Sequence, residues 1–251
     1  MELTHQVSGQ LKRLRLSGVV ETLEARQRQA IDGKWSYVDF LARLLEDELE
    51  RRAQKQLALR VRRSSVNTTK TLEGFDFSFN PSISRQQILA LASGEYVRLK
   101  RNVLICGPSG VGKSHLAQAL GHEACRQGYD VVFVSTHKML QHLNGGRADG
   151  SYERRLETYL RPDVLILDDF GLRALTPPSP EDMYEVIAER YEKGSIVLTS
   201  NRAPSEWPEL FGNPLLASAG LDRLAHHSGL PNSSGHSDGA RLLVNTMLPF
   251  S

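Results

Sequence analysis

Residues Gly107–Ser114 read GPSGVGKS and match the pattern G-x-x-x-x-G-K-[ST]. Each part has a chemical task. The glycines let backbone N–H groups turn toward a polyphosphate without Cβ clashes. Lys113 reaches β- and γ-phosphate oxygens, and the Ser114 hydroxyl takes one position on Mg²⁺. Gly107, Pro108, Ser109, Gly110, Val111, Gly112, Lys113 and Ser114, with His115 just beyond, form the candidate nucleotide-contacting stretch. A phosphate loop also needs a carboxylate for its metal, and Asp168-Asp169 follows the apolar run DVLIL, 55 residues beyond Lys113. Asp168 is the candidate Mg²⁺ holder, directly or through water, and Asp169 the candidate that polarises the attacking water. Asn201 ends the next apolar run, SIVLT, where a neutral amide can orient the water or sense the γ-phosphate.

These residues are useful only if the chain gathers them. Asn102 to Cys106 reads as a short buried strand, and the stretch after Ser114 places Leu116, Ala119, Leu120 and Ala124 on one helical face. Strand, glycine loop and helix N-terminus together make an anion site. Asp130–Ser135, Asp163–Leu167 and Ser195–Thr199 read as further strands separated by helical segments. Alternation of this kind predicts an α/β fold with a parallel sheet flanked by helices, its ligands at the C-terminal strand ends. A helix is predicted from about Thr136, with Gly145-Gly146 as a break, another over Ser151–Leu160, and a third over Glu181–Glu192 after a rigid Pro177-Pro178-x-Pro180 connection.

The first 63 residues predict an all-helical domain. Leu11, Leu14, Val19 and Leu23 approximate one stripe with Gly18 as its weak point. Ser36 and Asp39 form a capping box, followed by apolar residues at helical spacing from Tyr37 to Leu49. Arg51, Arg52, Lys55, Arg60, Arg62 and Arg63 then give six basic residues without an acidic one. Residues 64–70 form a polar linker, and 71–251 the catalytic domain, in which Phe75, Phe77 and Phe79 alternate and Ser84 caps a helix through about Ala92. From about residue 228 the tail is rich in Gly, Ser and Asn, without firm periodicity.

The net charge is +2, but residues 1–70 hold 14 Lys and Arg against 9 Asp and Glu. Asymmetry of this kind suggests a basic accessory segment beside a near-neutral catalytic body. The two cysteines, Cys106 and Cys125, form no disulfide framework and are expected to pack as small hydrophobes in a reducing compartment. No apolar run approaches a membrane span, and the N-terminus lacks an apolar signal core, so a cytoplasmic protein is expected.

The segments GPSGVGKSHLAQALGHEA, DVLILDDFG, TSN and LDRLAHH together resemble the AAA+ ATPases of the helicase-loader group, and within it the IstB type that serves IS21-family transposons. The resemblance spans roughly residues 1–227. It implies a P-loop NTPase fold in which Lys113 and Ser114 are Walker A residues, Asp168-Asp169 is Walker B and Asn201 is sensor 1. It also implies ATP and Mg²⁺ as cofactors, a homo-oligomer on double-stranded DNA, and a separate DDE transposase of the IstA type as partner. Arg223 matches the position of an arginine finger that completes the next subunit's site. The family's Gly-x-Ser-aromatic-Arg segment is altered here: Gly235-His236-Ser237 is followed by Asp238 and Gly239, which displaces Arg241 from a sensor-2 position. His226-His227 reads as packing rather than metal binding.

With this resemblance, the basic run at Arg51–Arg63 and Lys138 become the candidate DNA contacts, reading mostly backbone and shape. A helicase loader of the DnaC type is the neighbouring alternative, distinguished by its partner. A P-loop small-molecule kinase would leave the basic helical extension unexplained.

Overall fold

The computed structural model describes residues 2–78, 83–225 and 244–245. The chain divides into two compact units, residues 1–59 and 60–251.

The first unit is helical: α1 (Glu2–Arg13), α2 (Ser17–Asp32) and the start of α3 (Tyr37–Ser64), which runs on across the division. Two helices replace the continuous stripe that the leucine spacing suggests. Gly18 is not a weak point but a close approach. Its N–H donates to Glu48 Oε2 at 2.6 Å, and a Cβ there would stand 2.8 Å from the Glu48 Cα. Ser36 and Asp39 form the reciprocal capping pair, with the Asp39 N–H donating to Ser36 Oγ at 3.1 Å and the Ser36 N–H to Asp39 Oδ2 at 3.3 Å. Arg26 grips Asp47 through two hydrogen bonds, Nη2 to Oδ1 at 2.6 Å and Nε to Oδ2 at 2.8 Å. Of the apolar stripe on α3, Leu44 is buried while Leu41, Leu45 and Leu49 are exposed.

The second unit begins at Arg60, near the end of α3, and residues 66–75 follow it. Then come α4 (Arg85–Ala92), capped by Ser84, and the short α5 (Glu95–Arg98). Phe75 and Phe77 lie in turns and pack edge to face, and Phe79 and Pro81 are outside the described residues. The core is β1 (Val103–Cys106), α6 (Lys113–Arg126), β2 (Val131–Ser135), α7 (Thr136–Asp149), α8 (Tyr152–Leu160), β3 (Val164–Phe170), α9 (Ser179–Arg190) and β4 (Ser195–Ser200). The chain continues through α10 (Trp207–Phe211), α11 (Pro214–Ala225) and β5 (Val244–Asn245). The strands form one parallel sheet in the order β2-β3-β4-β1-β5. The apolar side chains of β1, β3 and β4 are buried, as expected of a parallel sheet with helices on its faces, while those of edge strand β2 beyond Val131 are partly exposed.

Three local expectations are corrected. Helix α7 continues through Gly145-Gly146, because these glycines let α8 approach rather than break the helix. A Cβ on Gly146 would stand 2.9 Å from the Tyr152 Cα. Strand β3 extends through Asp168-Asp169 instead of ending before them. Helix α9 starts at Ser179, so Pro180 lies in its first turn, where a missing N–H costs nothing. The two-residue strand β5, in a tail without periodicity, pairs with β1.

Among the described residues no helix is long and apolar enough to cross a membrane. Both cysteines are buried and free.

Candidate nucleotide site

The loop Gly107–Ser114 connects the C-terminal end of β1 to the first turn of α6. Gly110 and Gly112 have φ of 84° and 93°, a region that favours glycine. Gly112 is doubly constrained, because a Cβ would fall 2.7 Å from the Phe75 ring. The Lys113 ammonium donates to the Pro108 carbonyl at 2.7 Å. Gly107 N–H donates to the Ser200 carbonyl at 3.1 Å, which ties the loop to β4. Burial lowers the Lys113 pKa, and the charges of Asp169 and then Asp168 oppose that shift. The ammonium therefore lies in the field of both candidate carboxylates.

Residues 66–75 run along α6 toward this loop. Val66 packs by Gly121, Asn67 N–H donates to Gln118 Oε1 at 3.0 Å, and His115 Nε2 lies 3.0 Å from the Thr71 carbonyl. The Phe75 ring then meets Gly112 and packs edge-on to His115 at 5.2 Å. The aromatic alternation is the signal in the sequence for this contact, but spacing alone does not aim it at the loop.

Asp168 is buried and Asp169 exposed, at the end of β3. Thr199 Oγ1 donates to Asp168 Oδ1 at 2.5 Å, and the Asp169 N–H donates to the same Thr199 oxygen at 3.0 Å. Asp169 has φ of 58°, and desolvation, then the Asp168 charge, raise its pKa while Lys113 lowers it. Asn201 follows β4 on the same edge. Its Oδ1 is buried and has no hydrogen-bond partner among the described residues. A buried acceptor without a partner is costly unless a ligand or water satisfies it. In the sequence, Thr199 within SIVLT reads as an ordinary β-branched strand residue, with no sign of these contacts.

The remaining candidates lie elsewhere. The Arg223 guanidinium stands 5.2 Å from the Tyr184 ring centroid, and Nη1 donates to the Ala219 carbonyl at 3.1 Å. The Arg223 carbonyl accepts from Asn102 Nδ2 at 3.4 Å, at the opposite end of β1 from Gly107. That strand separates them by about 15 Å at the rise per residue of a parallel strand, so the structure does not bring Arg223 to the phosphate loop of its own chain. In the basic run, Arg51 is paired with Glu21 and donates to the Ser17 carbonyl, and Arg52 is paired with Glu48. Arg60 is half-buried, and Lys55, Arg62, Arg63 and Lys138 are exposed. Arg241 and His226-His227 lie outside the described residues.

A family model described as IstB-like ATP binding protein matches residues 9–242. A putative ATP-binding protein in an insertion sequence of Mycobacterium tuberculosis is 43% identical over 219 residues, which is 87% of this chain and 87% of that protein. Among solved structures, AMPPCP-bound DnaA from Aquifex aeolicus aligns over 62% of this chain with a TM-score of 0.53 and 26% identity, though the alignment spans only 48% of the DnaA chain. The DnaC helicase loader aligns over 61% of this chain and 92% of its own with a TM-score of 0.52 and 22% identity, a likeness of fold. With a parallel sheet flanked by helices, an N-terminal helical region and a glycine loop at a strand end, the chain belongs to the IstB-like ATP-binding proteins of the IS21 family, within the AAA+ superfamily.

Proposed function

We propose that the chain is a Mg²⁺-dependent ATPase that assembles on double-stranded DNA and recruits or activates an IstA-type transposase. The observation that carries this reading is one edge of the sheet. The Gly107–Ser114 loop and Asn201 follow β1 and β4, and Asp168-Asp169 lie near the end of β3, with β4 between β1 and β3 in the sheet.

In this reading the loop amides and Lys113 bind the β- and γ-phosphates. Ser114 and Asp168 hold Mg²⁺. One hydroxyl and one carboxylate leave the other positions to phosphate oxygens and waters, which is the donor set Mg²⁺ prefers. Bound Mg²⁺ supplies neutralisation of phosphate charge. Asp169 polarises the attacking water, and the unpartnered Asn201 Oδ1 accepts a hydrogen bond from it. Arg223 lies at the far end of β1 from its own loop, which favours action on a neighbouring subunit's site.

For DNA, exposed Lys55, Arg62, Arg63 and Lys138 are the leading contacts with backbone phosphate, since Arg51 and Arg52 already serve carboxylates within the helical unit. The insertion-sequence setting of the relatives supports a transposase partner.

One experiment tests the ATPase at the centre of this reading. ATP turnover is measured with and without duplex DNA for the wild type, for Asp169→Asn, for Arg223→Ala, and for mixtures of the two variants. Each single variant should be nearly inactive, and mixing should restore turnover, because the Arg223→Ala subunit keeps a working site that its neighbour's arginine completes. Mixtures as inactive as the parents overturn the action in trans, and full activity of Asp169→Asn overturns the role of Asp169.

A further inference from the structure

The pairing of β3 with β4 runs from Val164↔Ser195 to Leu167↔Leu198 and resumes at Phe170↔Ser200. Asp168 and Asp169 therefore oppose the single residue Thr199, which is a β-bulge. A bulge leaves one residue without its ladder partner. Here the Asp169 N–H turns to the Thr199 side chain, at 3.0 Å from Oγ1. A hydroxyl has one proton. Having accepted from the amide, Thr199 gives its proton to Asp168 Oδ1, at 2.5 Å. Thr199 is fully buried, so no water competes for either bond. The Asp168 carbonyl is held separately by Thr136 Oγ1 at 3.1 Å.

We infer that Thr199 is a positioning residue for the reaction, its single hydroxyl fixing both the metal-side carboxylate of Asp168 and the backbone of Asp169. This rests on the roles proposed above for the two aspartates. The bond to Oδ1 leaves Oδ2 as the oxygen for the metal side and selects one orientation of the carboxylate. The bond from the amide holds Asp169 at φ 58°, which a non-glycine residue adopts at a cost and keeps only when its surroundings impose it. The two effects are coupled, because one oxygen makes both bonds.

The test compares Thr199→Val, which keeps the shape and loses the hydroxyl, with Thr199→Ser, which keeps the hydroxyl. The first readout is the Mg²⁺ concentration that half-saturates the fluorescence change of protein-bound mant-ADP, and the second is kcat for ATP. Loss of a partner of this kind costs metal affinity or activity about 10- to 100-fold. Thr199→Val should raise the Mg²⁺ midpoint by about 10-fold and lower kcat at least as much, while affinity for mant-ADP without metal changes less than about 2-fold. Thr199→Ser should stay within about 3-fold of the wild type. If the valine variant does not fold, Thr199→Ala against Thr199→Ser isolates the hydroxyl, since both lack the methyl group. A hydroxyl-free variant with the wild-type Mg²⁺ midpoint and kcat overturns the inference, as does a serine variant impaired as much as it. A wild-type protein without Mg²⁺-dependent turnover instead overturns the ATPase reading beneath it.

Discussion

The Lys113 ammonium donates a 2.7 Å hydrogen bond to the Pro108 carbonyl, inside its own phosphate loop. A half-buried ammonium needs an acceptor, and the loop supplies one. Two ammonium protons remain for phosphate oxygens, where an ionised acceptor gives a stronger bond than a carbonyl does. Lys113→Ala removes the cation while leaving the buried strand and helix around it intact. ATP affinity should fall at least about 100-fold, as expected for two lost charge-assisted bonds of about 1.5–3 kcal/mol each, with Tm within about 2 °C of the wild type. Fluorescent nucleotide titration and thermal unfolding check both parts; retained affinity would remove Lys113 from the site.

Among the described residues, Arg190 is a fully buried cation. It donates to the carbonyls of Tyr159, Leu160, Pro162, Asp163 and Ser195 at 2.8 to 3.2 Å. It thereby joins the end of α8 to the beginnings of β3 and β4. Burial pulls its pKa down to about 10, with Asp163 opposing, so it stays charged at neutral pH. Arg190→Met should destabilise the protein by on the order of 3 kcal/mol, because it strands buried carbonyls. For a chain of this size that is a fall in Tm of roughly 10 °C. A thermal shift under 2 °C would show that water replaces the guanidinium.

Gly145 and Gly146 offer a paired test of helix contact. At Gly145 an added Cβ meets the flexible end of Arg155, 2.7 Å away. At Gly146 it meets the backbone of Tyr152, with the N at 3.0 Å. Gly145→Ala should therefore be neutral or gain up to about 1 kcal/mol from helix propensity. Gly146→Ala should lose roughly 1–3 kcal/mol by overpacking. Urea unfolding midpoints decide it, and equal effects at both positions would contradict the packing.

The Arg26 fork holds the Asp47 carboxyl at about 2, below its usual range, against an opposing effect of burial. A carboxylate with a depressed folded-state pKa stabilises the fold fully above its unfolded value. That contribution is lost as pH falls from about 4 toward about 2. Asp47→Asn should lower the urea midpoint of the helical unit at pH 7 and leave it unchanged near pH 2. Fluorescence of Trp35, with Trp207→Phe in both proteins, reports that unit. A deficit that persists at pH 2 would assign the effect to shape rather than charge.

The sequence made part of this site readable and hid the rest. Leu116, Ala119, Leu120 and Ala124 repeat at helical spacing, so the helix behind the glycine loop was legible, as were the apolar strands. Thr199 was hidden because its part depends on register. Only the bulge brings two aspartates opposite one threonine. Arg190 reads as one more basic residue near a helix end until its five carbonyls are seen. Gly145-Gly146 reads as a stop because local propensity says so, and close packing overrides it. Two paired residues at Val244–Asn245 are too few to give a period.

The strand order carries a consequence for the time at which the site exists. Strand β4 sits between β1 and β3 in the sheet but follows both in the chain. While residues 195–200 are still unmade, the glycine loop and Asp168-Asp169 lie on strands with no common neighbour, and Thr199 and Asn201 are absent. A nascent chain long enough to contain the phosphate loop, its lysine and both acids therefore has no mutual alignment for them. Late arrival of β4 is a built-in delay. Alignment of the glycine loop with the two acids therefore waits until residues 195–200 are in place between them.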